Sequence, residues 1–151
     1  MFSGIVIAAI GITALVTASI VRSSSAQAPA TTVAPAAPQY SAAEVDAAKQ
    51  NVCHVFDVSS AGKRGKGGVV VDGQPNLPVI LRTLTSAVAV QNALAPALPA
   101  DVATAAHKYV ITTLDLATGA TGSASVDEIN RLTTSSNDAA YSMADVCGLP
   151  R

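Results

Sequence analysis

The chain has 151 residues and a mass of 15.1 kDa; half of the residues are apolar, 13% are charged and the net charge is −1. That length holds one small domain, and the weak charge excludes both a disordered charged tail and a globally basic nucleic-acid binder, so no nucleic-acid partner is expected. Aromatics at 3% with no Trp supply no base-stacking platform, and two Cys with two His cannot build a multi-cysteine zinc module.

Residues 4–21 (GIVIAAIGITALVTASIV) carry no charge, and Arg22 ends the run. At 1.5 Å per residue the run spans roughly 27 Å, enough to cross the hydrocarbon core of a bilayer. Residues 1–22 therefore read as a transmembrane anchor or a signal peptide, with the lipid bilayer as partner of residues 4–21. Ala26-Gln27-Ala28 has the small-x-small form of a cleavage site, but Pro29 would follow the cut, which favours retention. Cleavage near Ala28 would give a secreted protein. No Lys or Arg precedes the run, so the positive-inside rule gives only a weak vote, from Arg22, for a cytoplasmic C-terminal part. The missing basic residues also fit a start codon further upstream. The linker and the cysteines outweigh that vote and predict an extracytoplasmic domain.

Residues 23–39 (SSSAQAPATTVAPAAPQ) cannot bury a core, and their prolines favour an extended spacer. Thr31 and Thr32 are candidate sites for O-linked sugars on it. The folded domain is expected over residues 40–151. Ser41-Ala-Ala-Glu44 is a capping box, and Val45, Ala48, Val52, Val55 and Phe56 follow at helical spacing, which predicts a first helix to about Ser60. Ala61 to Leu77 reads as a long loop in which Val69-Val70-Val71 and Asp72-Gly73 make a short extended segment with a turn.

A second helix is predicted from near Pro78 to before Pro96, with Ile80, Leu81, Leu84, Ala87, Val88 and Leu94 on its apolar face. Pro99 suits the first turn of a third helix ending near Gly119, whose face is Val102, Ala105, Ala106, Tyr109, Val110, Thr113 and Leu116. Ser125-Val-Asp-Glu128 is a second capping box, opening a fourth helix with Val126, Ile129, Leu132, Ser136, Ala140, Met143 and Cys147 inward. Cys147-Gly148-Leu149-Pro150 stops it.

This pattern predicts an all-α fold, an antiparallel four-helix bundle with one disulfide. The faces are rich in Ala and Thr, so each buried side chain contributes little area and the core needs help. Cys53 and Cys147 are the means: a bond between them requires the first and fourth helices to be staggered by about two to three turns, and it would persist in an oxidising compartment.

Chemical constellations are sparse. His54 and Asp57 share a helix at i and i+3, and His107 lies on the third helix, but no metal-binding run contains them. No Gly-x-Ser-x-Gly elbow or Ser-x-x-Lys pair is present. No catalytic residue, cofactor or metal is therefore assigned; an unrecognised enzyme would use His54 or His107 as its base. Gly62-Lys63-Arg64-Gly65-Lys66-Gly67-Gly68 lacks phosphate-loop order and follows a helix instead of a strand. Its Lys63, Arg64 and Lys66 form a possible anion contact for lipid headgroups or an acidic glycan.

The segment Tyr40 to Cys53 (YSAAEVDAAKQNVC), placed after one hydrophobic run and an Ala/Pro/Thr spacer, together with Asp145-Val146-Cys147, resembles a group of small mycobacterial membrane-anchored or secreted Ala-rich helical proteins with two cysteines. The resemblance implies an envelope location and a helical architecture, and it implies no catalytic residue. The Gly- and Lys-rich loop from Gly62 to Gly73 departs from that group. The expected function is a membrane-anchored envelope domain that binds a protein partner or a small ligand. A membrane-surface regulator acting through the basic loop is the alternative.

Overall fold

A computed structural model describes residues 39–61 and 67–151, all within the second of the chain's two units, Gln39–Arg151. The expected anchor at 4–21, the spacer up to residue 38 and the basic cluster Lys63, Arg64 and Lys66 lie outside the described residues. Among the described residues, no helix is long and apolar enough to cross a membrane.

Helix α1 spans Ala42–Ala61, a hairpin pairs β1 (Val70–Val71) with β2 (Gln74–Pro75), and α2 (Leu77–Ala93), α3 (Ala100–Thr121) and α4 (Val126–Cys147) follow. The predicted capping box opens α1. Ser41 N–H donates to Glu44 Oε2 at 2.8 Å, while Glu44 N–H donates back to Ser41 Oγ at 3.3 Å. The second box is half made. Ser125 Oγ accepts from Glu128 N–H at 3.3 Å, but the Glu128 carboxylate turns to Arg131 instead of reaching back. Gly148 ends α4 in the left-handed conformation at φ 66°, its N–H bonded to the last carbonyls, as a glycine past a helix end allows.

Within the stretch expected to be a long loop, Val70 to Pro75 form a two-stranded hairpin. Val70 faces Pro75 and Val71 faces Gln74, and Asp72 and Gly73 take positive φ in the two-residue turn. Pro99 is not inside α3 but caps it, and α3 runs past Gly119 to Thr121. A bare Gly119 lets α4 come close, since a Cβ there would stand 2.6 Å from Leu132 Cδ1.

The helices pack in chain order as antiparallel neighbours. Ser59 of α1 meets Ser86 of α2, Ser86 meets Tyr109 of α3, and Thr113 of α3 meets Ser136 of α4. One apolar cluster joins all four helices around Val52, Phe56, Val90, Tyr109 and Met143. A second, around Ile80, Leu116, Ile129 and Leu132, draws on α2, α3 and α4 only, and Val69 from the hairpin segment covers it where α1 has ended.

The expected face of α3 is buried throughout. On α2 the face is rotated: Val79, Ile80, Thr83, Ser86, Ala87, Val90 and Ala93 are buried, whereas the expected core residues Leu81 and Val88 are 62% and 51% exposed. Val126, expected on the inner face of α4, is exposed, and Ala139 and Ala144 are buried beside Ile129, Leu132, Ser136 and Met143. On α1 only Val52 and Phe56 are fully buried, with Val45, Ala48 and Val55 half-buried.

Candidate functional site

Cys53 and Cys147 form a disulfide with their Cα atoms 5.5 Å apart. Cys147 is the last residue of α4, while Cys53 lies in the middle of α1. The bond therefore sets the stagger of the two helices: the part of α1 before Cys53, about three turns, runs past the end of α4. The same stagger brings the other half of α1 alongside α4, with a gap between them.

That gap is a groove of about 400 Å³, within the size range of small-molecule sites. Phe56 and Ser60 form its α1 wall, and Thr133, Asn137, Ala140 and Tyr141 its α4 wall. Tyr109, Leu116 and Thr83 lie at its floor, Gly67-Gly68-Val69 closes one end, and Pro150 and Arg151 close the other. The lining is mainly apolar and hydroxyl-bearing. Its described charge, Arg151, is spoken for: the guanidinium donates from Nε to Asp145 Oδ1 at 2.9 Å and from Nη2 to Asp145 Oδ2, and it stands 5.8 Å from the Tyr141 ring centroid. Hydrogen bonding from Arg151 holds the Asp145 carboxyl below its ordinary pKa.

A chain of hydroxyls that touches every helix runs through the floor. Ser59 Oγ and Ser86 Oγ are 3.0 Å apart, Ser86 Oγ and Tyr109 Oη 2.6 Å, and Thr113 Oγ1 and Ser136 Oγ 3.2 Å. Thr113 also hydrogen-bonds toward Tyr109 one turn back on α3, which links the two halves. Tyr109 is 1% exposed, and burial pushes its phenol pKa above the ordinary value; the hydrogen bonds from Ser86 and Thr113 oppose that shift. Its ring packs edge-on against Phe56 with centroids 5.0 Å apart. No buried side-chain polar atom among the described residues lacks a partner, so the chain is a satisfied network.

The residues singled out from the sequence fall elsewhere. His54 and His107 are exposed on α1 and α3, Asp57 is half-buried on α1, and none of the three lines the groove. Among the described residues, no cluster of His, Cys, Asp or Glu could hold a metal ion. Sequence reading placed Tyr109, Thr113 and Ser136 on inner faces but missed Ser86, Thr83 and the groove itself. The hydroxyls at 83, 86, 113 and 136 recur at inward-facing helical positions, and that was the available signal.

A comparison with curated proteins finds no match, nor does one with solved structures. The family model of the Rv2240c four-helix bundle domain matches residues 77–148, which is α2 through α4 and leaves α1 out. Over that stretch the chain is similar to a helical domain named after a mycobacterial protein.

Proposed function

We propose that this chain is an extracytoplasmic, membrane-anchored binding domain that takes a small, largely apolar ligand in the groove between α1 and α4. The observation that carries the reading is the groove of about 400 Å³ that the described residues line, with an aromatic and hydroxyl floor. Ligand sites in helical bundles lie between helices, with apolar walls and a few placed polar groups. The extracytoplasmic setting rests on the disulfide, which forms and persists in oxidising compartments, and on the uncharged run at residues 4–21.

The test is titration of the full chain with the neutral fluorescent probe N-phenyl-1-naphthylamine. Ala140 is half-buried on the α4 wall, so Ala140→Phe places a ring in the groove. Saturable binding by the native chain and at least about a tenfold loss in A140F, with an unchanged circular dichroism spectrum, is the expected result. Equal binding by both proteins places the probe elsewhere and rejects the groove. Protection of the domain from protease in intact cells, lost when the envelope is opened, is expected from the location; cleavage only after lysis of the cytoplasm rejects it.

A further inference from the structure

We propose that the Cys53–Cys147 disulfide is a redox latch on α1, and that its reduction frees this helix and dismantles one wall of the groove. The ligand part of this inference rests on the binding reading above; the latch itself does not.

Helix α1 is the least embedded of the four. It buries two side chains fully, Val52 and Phe56, against seven on α2, nine on α3 and six on α4. Both of its buried residues join the apolar cluster that the disulfide borders, and the second cluster continues through α2, α3 and α4 without it. Those three helices therefore keep a core of their own when α1 leaves. The bond joins α1 to the end of α4, the helices that supply Phe56 and Ser60 on one side of the groove and Ala140 and Tyr141 on the other. Both cysteines are half-buried, so the pair is not sealed in the core. An element with few buried contacts opens at lower free energy than the rest of its domain, and a covalent tie is what raises that threshold.

The chemistry needs a dithiol reductant. One reductant thiolate attacks one sulfur of the pair and expels the other as a thiolate, which takes up a proton. The second reductant thiolate then attacks the mixed disulfide and releases the second cysteine, which is protonated in turn. Cys53 and Cys147 together gain two electrons and two protons, and the reductant leaves as its disulfide. With α1 released, Phe56 and Ser60 no longer face α4.

Hydrogen exchange read by mass spectrometry on the full chain, with and without dithiothreitol, tests the latch. Reduction is expected to speed exchange across Ala42–Ala61 by at least about tenfold while α2, α3 and α4 change by less than about twofold. The Cys53→Ala/Cys147→Ala chain should reproduce the pattern without reductant. Unchanged exchange in α1 overturns the proposal, and so does a rise shared alike by all four helices, which is plain loss of the fold. N-phenyl-1-naphthylamine supplies the second readout. It should bind the oxidised chain at least about tenfold more tightly and, by reciprocity, make the disulfide harder to reduce by the same factor. Equal affinity for both states rejects regulation of the groove. Binding to neither state rejects the groove reading, while the exchange pattern still decides the latch.

Discussion

The Ser86 and Tyr109 hydroxyls lie 2.6 Å apart and join α2 to α3 at the groove floor. Ser86 has a second partner in Ser59, so one serine on α2 ties three helices together. Tyr109→Phe removes the shared oxygen without changing the ring that packs on Phe56. Because Ser86 keeps Ser59, the expected loss is about 1–2 kcal/mol by urea unfolding. Ser86→Ala takes one partner from each of Tyr109 and Ser59, while Ser59 keeps the Phe56 carbonyl at 3.3 Å and Tyr109 keeps Thr113, and should cost about 1–2 kcal/mol as well. The double variant should cost less than the sum of the two, since both disrupt one network.

The same phenol predicts an alkaline weakness. Burial raises the pKa of Tyr109 in the folded chain above its ordinary value of 10.0. The folded state then holds its proton at a pH where the unfolded chain has released it. Stability from this group is fully present below about pH 10 and falls as the pH rises from there through the folded pKa. Thermal midpoints measured from pH 8 upward should decline above about pH 10 in the native chain and decline less in Tyr109→Phe. Parallel curves for the two proteins would mean that the buried phenol is not the group responsible.

Close approach at Gly119 gives a sharper steric test. A Cβ at this position would stand 2.6 Å from Leu132 Cδ1 and 3.7 Å from Ile129 Cδ1. Gly119→Val is expected to destabilise by about 1–3 kcal/mol despite the better helix propensity of the new residue. In a Leu132→Ala background the obstructing methyl is gone, and the added cost of Gly119→Val should shrink or reverse. A full, additive cost in both backgrounds would place the strain outside the α3–α4 contact.

Two serine caps of similar sequence should behave differently. Ser125 starts α4, whose next turns carry the buried Ile129 and Leu132. Ser125→Ala should therefore lower global stability by about 1 kcal/mol. Ser41 starts an exposed stretch of α1 whose first fully buried residue is Val52. Ser41→Ala should leave the global unfolding midpoint in place and speed hydrogen exchange near Glu44. It should also raise the Glu44 pKa toward its ordinary value, because the Ser41 side-chain and backbone hydrogen bonds are what lower it. The cap is made at pH values above the ordinary carboxyl pKa and is lost as the pH falls through the depressed one, which a carboxyl titration followed by NMR reads directly.

Local chemistry was legible in the residues. Ser41 with Glu44, Ser125 with Glu128 and Gly148 each announce a helix end, because capping is a contact between residues three or four apart. The buried face of α3 was equally plain, since Val102, Ala105, Ala106, Tyr109, Val110, Thr113 and Leu116 repeat at one helical spacing. The two cysteines pointed to a staple, and the stagger that such a bond demands is the stagger found.

The face of α2 depended on its neighbours. Leu81 and Val88 are the more apolar choices, yet Thr83 and Ser86 are buried and the leucine and valine face outward. Burying a hydroxyl is costly only when it lacks a partner, and the partners of Ser86 are Ser59 on α1 and Tyr109 on α3, 27 and 23 residues away. Nothing within α2 encodes them. The groove likewise belongs to no segment: its lining comes from all four helices, from Gly67-Gly68-Val69 and from Pro150 and Arg151. Spacing along the chain determined which helices form and where they stop; which faces turn inward, and what space they leave open, was decided by contacts that only assembly creates.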